Sequence, residues 1–416
     1  MPADFLIEHA DVVATCAGPA PRRGRAQRDI GAVRDGAIAA RDGRILFVGP
    51  HEALAARVSV APGAVRVDAR GCTVVPGFVD AHTHLVYAGD RLDELQQRLA
   101  GATYAEIAAA GGGIGRTVAA TRAASEDDLV RAARARLDEM AASGTTTCEV
   151  KSGYGLATEV ELRQLRAIRR LDAEHPIDLV PTFLGAHDVP AEYRSRPDDY
   201  VALVIDEMIP RVAAAALAEW CDVFCEVGAF TPAQATAVLR AGARAGLKPR
   251  IHADELASSG GARVAAEVGA RSADHLIFVD EPAADALARA GVCAVLLPTA
   301  ALYLKLGRYA PARMLIDREV PVALGTDVNP GAGLSSSMAF AITLACFAMD
   351  MTLEEALIAA TLNAAWSLDR AATVGSLEVG KLMDAVLMEG DLTSLIRVGS
   401  SPIRTVIKRG RLVVGG

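Results

Sequence analysis

Apolar and polar positions alternate in two different styles along the chain. From the N-terminus to about Val74 the apolar runs are short: Phe5 to Ile7, Val12 to Thr15, Ala37 to Ala40 and Ile45 to Val48. The last two flank Asp42-Gly43, a hairpin signal because the favoured two-residue turn needs positive φ at its centre. The C-terminal end repeats this style with Ala385 to Met388, Thr405 to Lys408 and Leu412 to Val414, the last pair flanking Arg409-Gly410. Each β-rich end is too short to fold well alone. Residues 1–74 and 377–416 are therefore expected to combine into one small β-sandwich domain.

Residues 75–376 differ in kind. Strand-like runs fall near Val74 to Ala81, Thr145 to Lys151, Ile177 to Gly185, Asp222 to Val227, Pro249 to Ala253, Ser272 to Phe278, Cys293 to Pro298 and Pro321 to Thr326. Between them lie alanine- and arginine-rich stretches with helical character, such as Glu126 to Ala142, Glu159 to Ala173, Pro232 to Ala245 and Pro282 to Ala290. Eight strands with intervening helices predict an α/β fold, a (β/α)8 TIM-like barrel, since doubly wound sheets usually carry fewer strands. From Val328 to Met349 no charge occurs, but Asn329-Pro330-Gly331 and Ser335 to Ser337 leave only Met338 to Met349 as an apolar helix. That length suits a buried helix and not a membrane span.

A chain of 416 residues buries a large core without crosslinks. Its seven cysteines, an odd number lying mostly in apolar runs, suit buried thiols in a reducing cytoplasm. Cys221 and Cys225 flank a strand-like stretch with Val223 and Phe224, which places both thiols on one buried face and not at a metal. The formal net charge of -8 argues against nucleic acid as a partner. The basic cluster Arg22-Arg23-Gly24-Arg25 with Arg28 reads as a solvated loop. No secretory signal is visible at Met1 to Phe5, in keeping with a cytoplasmic protein, and a symmetric dimer is the commonest assembly for such enzymes.

Of eight histidines, His82, His84, His187, His252 and His275 stand at or just past the end of an expected strand. In a barrel that is the rim where active sites are built. His82 and His84 of Asp80-Ala81-His82-Thr83-His84 share one side of an extended strand. With His252 from the fifth strand and Asp327 after the eighth they form a donor set for one divalent ion, zinc or iron, with a position open to water. Such an ion lowers the pKa of bound water to about 7. Glu255 follows His252 closely enough to move a proton, His275 can polarise a carbonyl or hold the metal-bound hydroxide, and Asp274 reads as structural. Lys151 ends the second strand near Glu149 without a strong claim to bridge two ions, which favours a single-ion site.

Arg91 can make a bidentate pair with a carboxylate, and Tyr154 sits between Gly153 and Gly155, where backbone can approach a ligand. Gly111-Gly112-Gly113 lacks a P-loop lysine and reads as a lid segment. Each residue has a plainer reading too: Asp327 as a turn residue, His252 and His275 as satisfied buried histidines, Glu255 as a helix opener, Arg91 and Tyr154 as loop residues. The chemistry stays open between opening a cyclic amide and releasing ammonia from a heteroaromatic ring, and a non-catalytic scaffold is the alternative outside enzymes.

Across essentially its whole length the chain resembles the imidazolonepropionase family of the amidohydrolase superfamily. The likeness rests on Asp80 to His84, Ala88-Gly89-Asp90-Arg91, Leu99-Ala100-Gly101-Ala102-Thr103-Tyr104, Gly111 to Ile114, Glu149 to Leu156, Leu184-Gly185-Ala186-His187, His252-Ala253-Asp254-Glu255 and Thr326 to Gly331. The stretches Lys151 to Gly155 and Ala88 to Arg91 narrow it to that family. The resemblance implies hydrolysis of 4-imidazolone-5-propanoate to N-formimidoyl-L-glutamate in histidine degradation. It implies that His82, His84, His252 and Asp327 hold zinc or iron, and that Arg91, Tyr154, His187, Glu255, Asn329 and Gly331 line a small, carboxylate-bearing substrate. Glu255, His275 and Asp327 would then be catalytic. At Ala332 the family often has serine or threonine, so a hydroxyl contact is missing there unless Ser335 to Ser337 supply it.

Overall fold

A computed structural model describes residues 2–102, 106–107 and 110–415; Thr103 and Tyr104 of the quoted motif lie outside the described residues. The strands in chain order are β1 (Ala3–Ala14), β2 (Ala32–Arg41), β3 (Arg44–Pro50), β4 (Val60–Asp68), β5 (Cys72–Pro76), β6 (Phe78–Asp80), β7 (Thr145–Lys151) and β8 (Asp178–Ala186). They continue as β9 (Trp220–Cys225), β10 (Lys248–Ala253), β11 (Ser272–His275), β12 (Cys293–Leu296), β13 (Val322–Leu324), β14 (Ala385–Glu389), β15 (Ile403–Lys408) and β16 (Arg411–Val414).

The strands of both termini form one sheet in the order β16-β15-β14-β5-β1-β2-β3, with β4 also on β1. The sheet forks because β1 is long: Phe5 to Glu8 run parallel to β4, and Val12 and Val13 run parallel to β5. Alternation along β1 serves two cores. Phe5 and Ile7 pack with Val74, Leu387 and Ile407, while Leu6 joins Ala37, Ala39 and Leu54. The expected strand list lacks β4, whose residues are mostly exposed and include Pro62-Gly63, a pair that usually marks a turn.

Strands β6 to β13 form the parallel barrel in sequential order. Its seam is closed by single bonds: Ala81 N to Leu324 O at 3.4 Å, Asp327 N to His82 O at 3.0 Å and His84 N to Val328 O at 3.0 Å. The run from Val74 to Ala81, expected as one strand, is two. Its first half is β5 in the terminal sheet, paired antiparallel to β14, and its second half is β6 in the barrel. Pro76 and Gly77 make the break: a Cβ on Gly77 would lie 2.3 Å from Thr146 Oγ1.

Helices flank the barrel, and several begin with a side-chain cap. Ser125 and Asp128 form a reciprocal capping box at helix Glu126–Ala142, as do Thr231 and Gln234 at helix Pro232–Arg244. Such boxes satisfy amides that the first turn leaves without partners. Cys221 and Cys225 are buried, unpaired thiols on β9. Gly242 packs so closely on Cys221 that a Cβ there would lie 2.7 Å away. Met338–Ala348 is a single helix, and no helix among the described residues is long and apolar enough to cross a membrane. The basic cluster is not simply a solvated loop. Arg22 is buried, its amide donating to Asn363 Oδ1 at 2.8 Å, and Gln27 donates to the Val322 carbonyl at 3.3 Å.

Candidate metal and substrate site

At the C-terminal rim the strand ends deliver their side chains to one point. Three imidazoles, from His82, His84 and His252, have ring nitrogens within 4.8 Å of one another. His84 Nε2 lies 3.2 Å from His82 Nε2 and 3.4 Å from His252 Nε2. Asp327 Oδ1 completes the group at 3.5 Å from His82 Nε2 and 3.4 Å from His84 Nε2. A tetrahedral ion with arms of about 2.0–2.1 Å sets its ligand atoms about 3.3–3.4 Å apart.

Tautomers support the same reading. His82 Nδ1 donates to Asp274 Oδ2 at 2.6 Å, and His252 Nδ1 donates to Asp222 Oδ1 at 3.1 Å. With those protons on Nδ1, both Nε2 atoms carry bare lone pairs aimed at the cluster. Asp327 Oδ1 is buried without a hydrogen-bond partner. Such an oxygen among lone pairs is stabilised by a cation, so the residues fit a divalent ion. Neither His82 nor His84 lies in a strand, because β6 ends at Asp80 and both stand in the irregular segment beyond it.

A buried charge network underlies the histidines. Lys151 Nζ donates to Glu149 Oε1 and Asp222 Oδ2, each at 2.7 Å, and lies 3.8 Å from Asp274 Oδ2. Arg250 Nη2 donates to the same Asp274 oxygen at 3.3 Å. Period-two alternation explains the convergence: Glu149 and Lys151, and likewise Arg250 and His252, point to the same face of their strands. Burial works against the Asp222 carboxylate, and His252 and Lys151 overcome it, holding its pKa well below the usual value. Asp80 ties the first strand end to the last, accepting from Thr326 N at 2.9 Å and Thr326 Oγ1 at 2.5 Å. Burial, eased by Thr326, raises its pKa to about 7.

Above the cluster opens a cavity of about 310 Å³. Of the expected residues, His84, Arg91, Tyr154, His187, His252, Glu255, His275, Asp327, Asn329, Gly331 and Ala332 all line it. His187 Nδ1 donates to Gly153 O at 3.0 Å, and its ring stacks on His84 with centroids 5.0 Å apart. Glu255 is set by Glu226, which accepts from the amides of Glu255 and Leu256 at 3.0 and 2.8 Å. Burial, then the neighbouring Asp327 and Glu226 carboxylates, pushes the Glu255 pKa well above the usual range. His275 Nδ1 is 3.6 Å from Glu255 Oε1, and burial keeps this imidazole neutral. His275 and Asp327 have φ of 73° and 51°, left-handed values that are uncommon for non-glycine residues.

The structure qualifies other expectations. Asn329 spends much of its amide on its own loop: Oδ1 accepts from Gly331 N and Ala332 N, and Nδ2 donates to Asp327 O. Ser335 to Ser337 do not line the cavity. Ser337 instead caps helix Met338–Ala348 through Phe340 N, so these serines do not replace the hydroxyl missing at Ala332. Gly112, Ile114 and Gly115 form one wall. Sequence reasoning missed Asp222 and Arg250 in the network, and Asp188, Arg194 and Phe224 in the wall. A charged residue inside an otherwise apolar strand is the signal available for Asp222; lone loop residues such as Arg194 offer none.

A family model described as the amidohydrolase family matches residues 73–413. An imidazolonepropionase from Symbiobacterium thermophilum is 50% identical over 416 residues, covering 99% of this chain and 98% of that protein. One from Alkaliphilus metalliredigens is 46% identical, covering 100% of this chain and 99% of its own. Among solved structures, a zinc-bound adenosine deaminase from Xanthomonas campestris superposes with a TM-score of 0.69 at 22% identity, covering 100% of this chain and 93% of that one. A triazine hydrolase from Arthobacter aurescens superposes with a TM-score of 0.75 at 18% identity, covering 99% and 94%. These two likenesses are of fold.

Proposed function

Because the chain belongs to the amidohydrolase family and, within it, to the imidazolonepropionases, we infer that its site opens the ring of 4-imidazolone-5-propanoate by hydrolysis, giving N-formimidoyl-L-glutamate. This is a step of histidine degradation. Water adds to the ring carbonyl carbon, the bond from that carbon to the ring nitrogen breaks, the nitrogen takes a proton, and the carbonyl carbon ends as a carboxylate. The observation that carries the assignment is the convergence of three imidazole nitrogens and one orphaned carboxylate oxygen at the separations of a tetrahedral site.

His82, His84, His252 and Asp327 are the residues to hold one divalent ion, zinc or iron, since imidazole and carboxylate accept both. When bound, that ion supplies Lewis-acid polarisation and makes water a nucleophile near neutral pH. Glu255 takes a proton from the attacking water and returns it to the leaving nitrogen; its raised affinity for protons suits a carboxylate that must carry one. His275, neutral, donates an N–H toward the oxygen where negative charge develops. Arg91 pairs with the propanoate, holding the ring at a fixed distance from the reacting centre. Tyr154, His187, Asn329, Gly331 and Ala332 shape the wall around it. The working form is a cytoplasmic two-fold dimer without nucleic-acid partners, in keeping with the net charge of -8.

Purified protein loaded with zinc or iron is expected to consume imidazolone propanoate and form N-formimidoylglutamate without ammonia. Ammonia release from azoles or pyrimidines, with the imidazolone untouched, would transfer the assignment to a deaminase.

A further inference from the structure

One carboxylate joins two parts of the cavity wall, Arg91 and the Gly112 to Gly115 stretch. Arg91 immediately precedes helix Leu92–Leu99, and Glu94 lies in that helix's first turn. Glu94 Oε2 accepts from Arg91 Nε at 2.7 Å, and its other oxygen, Oε1, accepts from Gly113 N at 2.9 Å. All of this is out of water, with Glu94 3% and Arg91 6% exposed. Gly113, at φ 78°, caps helix Ile114–Ala123, whose first two residues line the cavity with Gly112. The approach is close: a Cβ on Gly112 would stand 3.0 Å from Glu94 Oε1, and one on Gly331 would stand 2.2 Å from Arg91 Nη1.

We propose that Glu94 is a positioning residue that fixes the Arg91 guanidinium and the glycine wall in one arrangement, so that the cavity discriminates for a ligand bearing a carboxylate. The physical reason is the use of the guanidinium edge. By engaging Nε, Glu94 turns the plane of Arg91 and removes the rotational freedom that a long side chain otherwise loses on binding. Its second oxygen holds the Gly113 amide, so arginine and wall keep the same relative placement. Pairing with a buried carboxylate also keeps the arginine's charge compensated when the cavity holds only solvent. The inference rests on the ring-opening reading, in which Arg91 meets the propanoate.

The test uses Glu94→Gln in the metal-loaded protein, with two inert ligands measured by calorimetry: imidazole-4-propanoate and 4-propylimidazole. The amide keeps an oxygen for Gly113 and loses the ion pair with Arg91. Affinity for the propanoate ligand is expected to fall about tenfold, the scale of one charge-assisted hydrogen bond, while affinity for the propyl ligand stays level. In an Arg91→Ala background the same change is expected to add little, because Glu94 acts through Arg91. Equal loss on both ligands, no loss on either, or full additivity with Arg91→Ala would overturn the proposal. The unmodified protein's action on imidazolone propanoate tests the ring-opening reading separately, because neither affinity depends on turnover.

Discussion

His82 stands between two partners, donating from Nδ1 to Asp274 at 2.6 Å while its Nε2 faces His84 Nε2 at 3.2 Å. Asp274, read from the sequence as structural, therefore sets which nitrogen of His82 is left to bind an ion. Replacing it as Asp274→Asn is expected to weaken metal retention about 10–100-fold, measured by competition with a chromophoric chelator. Retention equal to the parent would show that the tautomer is set elsewhere.

Lys151 is the common counter-charge of Glu149 and Asp222. Lys151→Met leaves both carboxylates buried without it and is expected to cost about 3–5 kcal/mol of stability, read from urea unfolding. A midpoint unchanged from the parent would mean that the network carries no such strain.

Arg91→Ala is expected to raise KM for the carboxylate substrate about tenfold to a hundredfold and to change kcat much less, since the contact proposed for Arg91 is remote from the breaking bond. Steady-state kinetics decides this. A fall in kcat at constant KM would place Arg91 in the chemistry itself.

Gly77 has no room for a side chain, with Thr146 Oγ1 at 2.3 Å from the position of a Cβ. Gly77→Ala is expected to destabilise by about 1–3 kcal/mol, the scale of overpacking. Adding Thr146→Ala is expected to restore part of the loss in thermal unfolding, because the clash is with that side chain.

Much of this architecture is legible in the residues. Seven of the eight strand-like runs appear in the barrel sheet with their ends moved by a few residues, and the histidines that close the runs meet at one rim because strand ends of a parallel barrel share a face. What stays hidden is pairing across long separations. Arg250 and Asp274, or Lys151 and Asp222, give no local sign that they will compensate one another inside the barrel. Ser335 to Ser337 follow Asn329-Pro330-Gly331 closely enough to invite a ligand-binding role, but Ser337 caps helix Met338–Ala348 and none of the three lines the cavity. The split of Val74 to Ala81 is marked only by Pro76-Gly77, and which sheet each half joins depends on strands hundreds of positions away.

That division of one apolar run between two sheets bears on how the chain is made. Strand β5 lies between β1, which emerges early from the ribosome, and β14, which emerges near the end; β6 likewise meets β13 across the seam. The barrel can close once β13 has been made, whereas the terminal sheet stays incomplete until β14 to β16 have followed. Its contacts span most of the polypeptide, so assembly is slow and the open edges of β5 and β6 stay exposed meanwhile. Nascent chains stalled before β14 are therefore expected to be the aggregation-prone, chaperone-dependent form of this molecule.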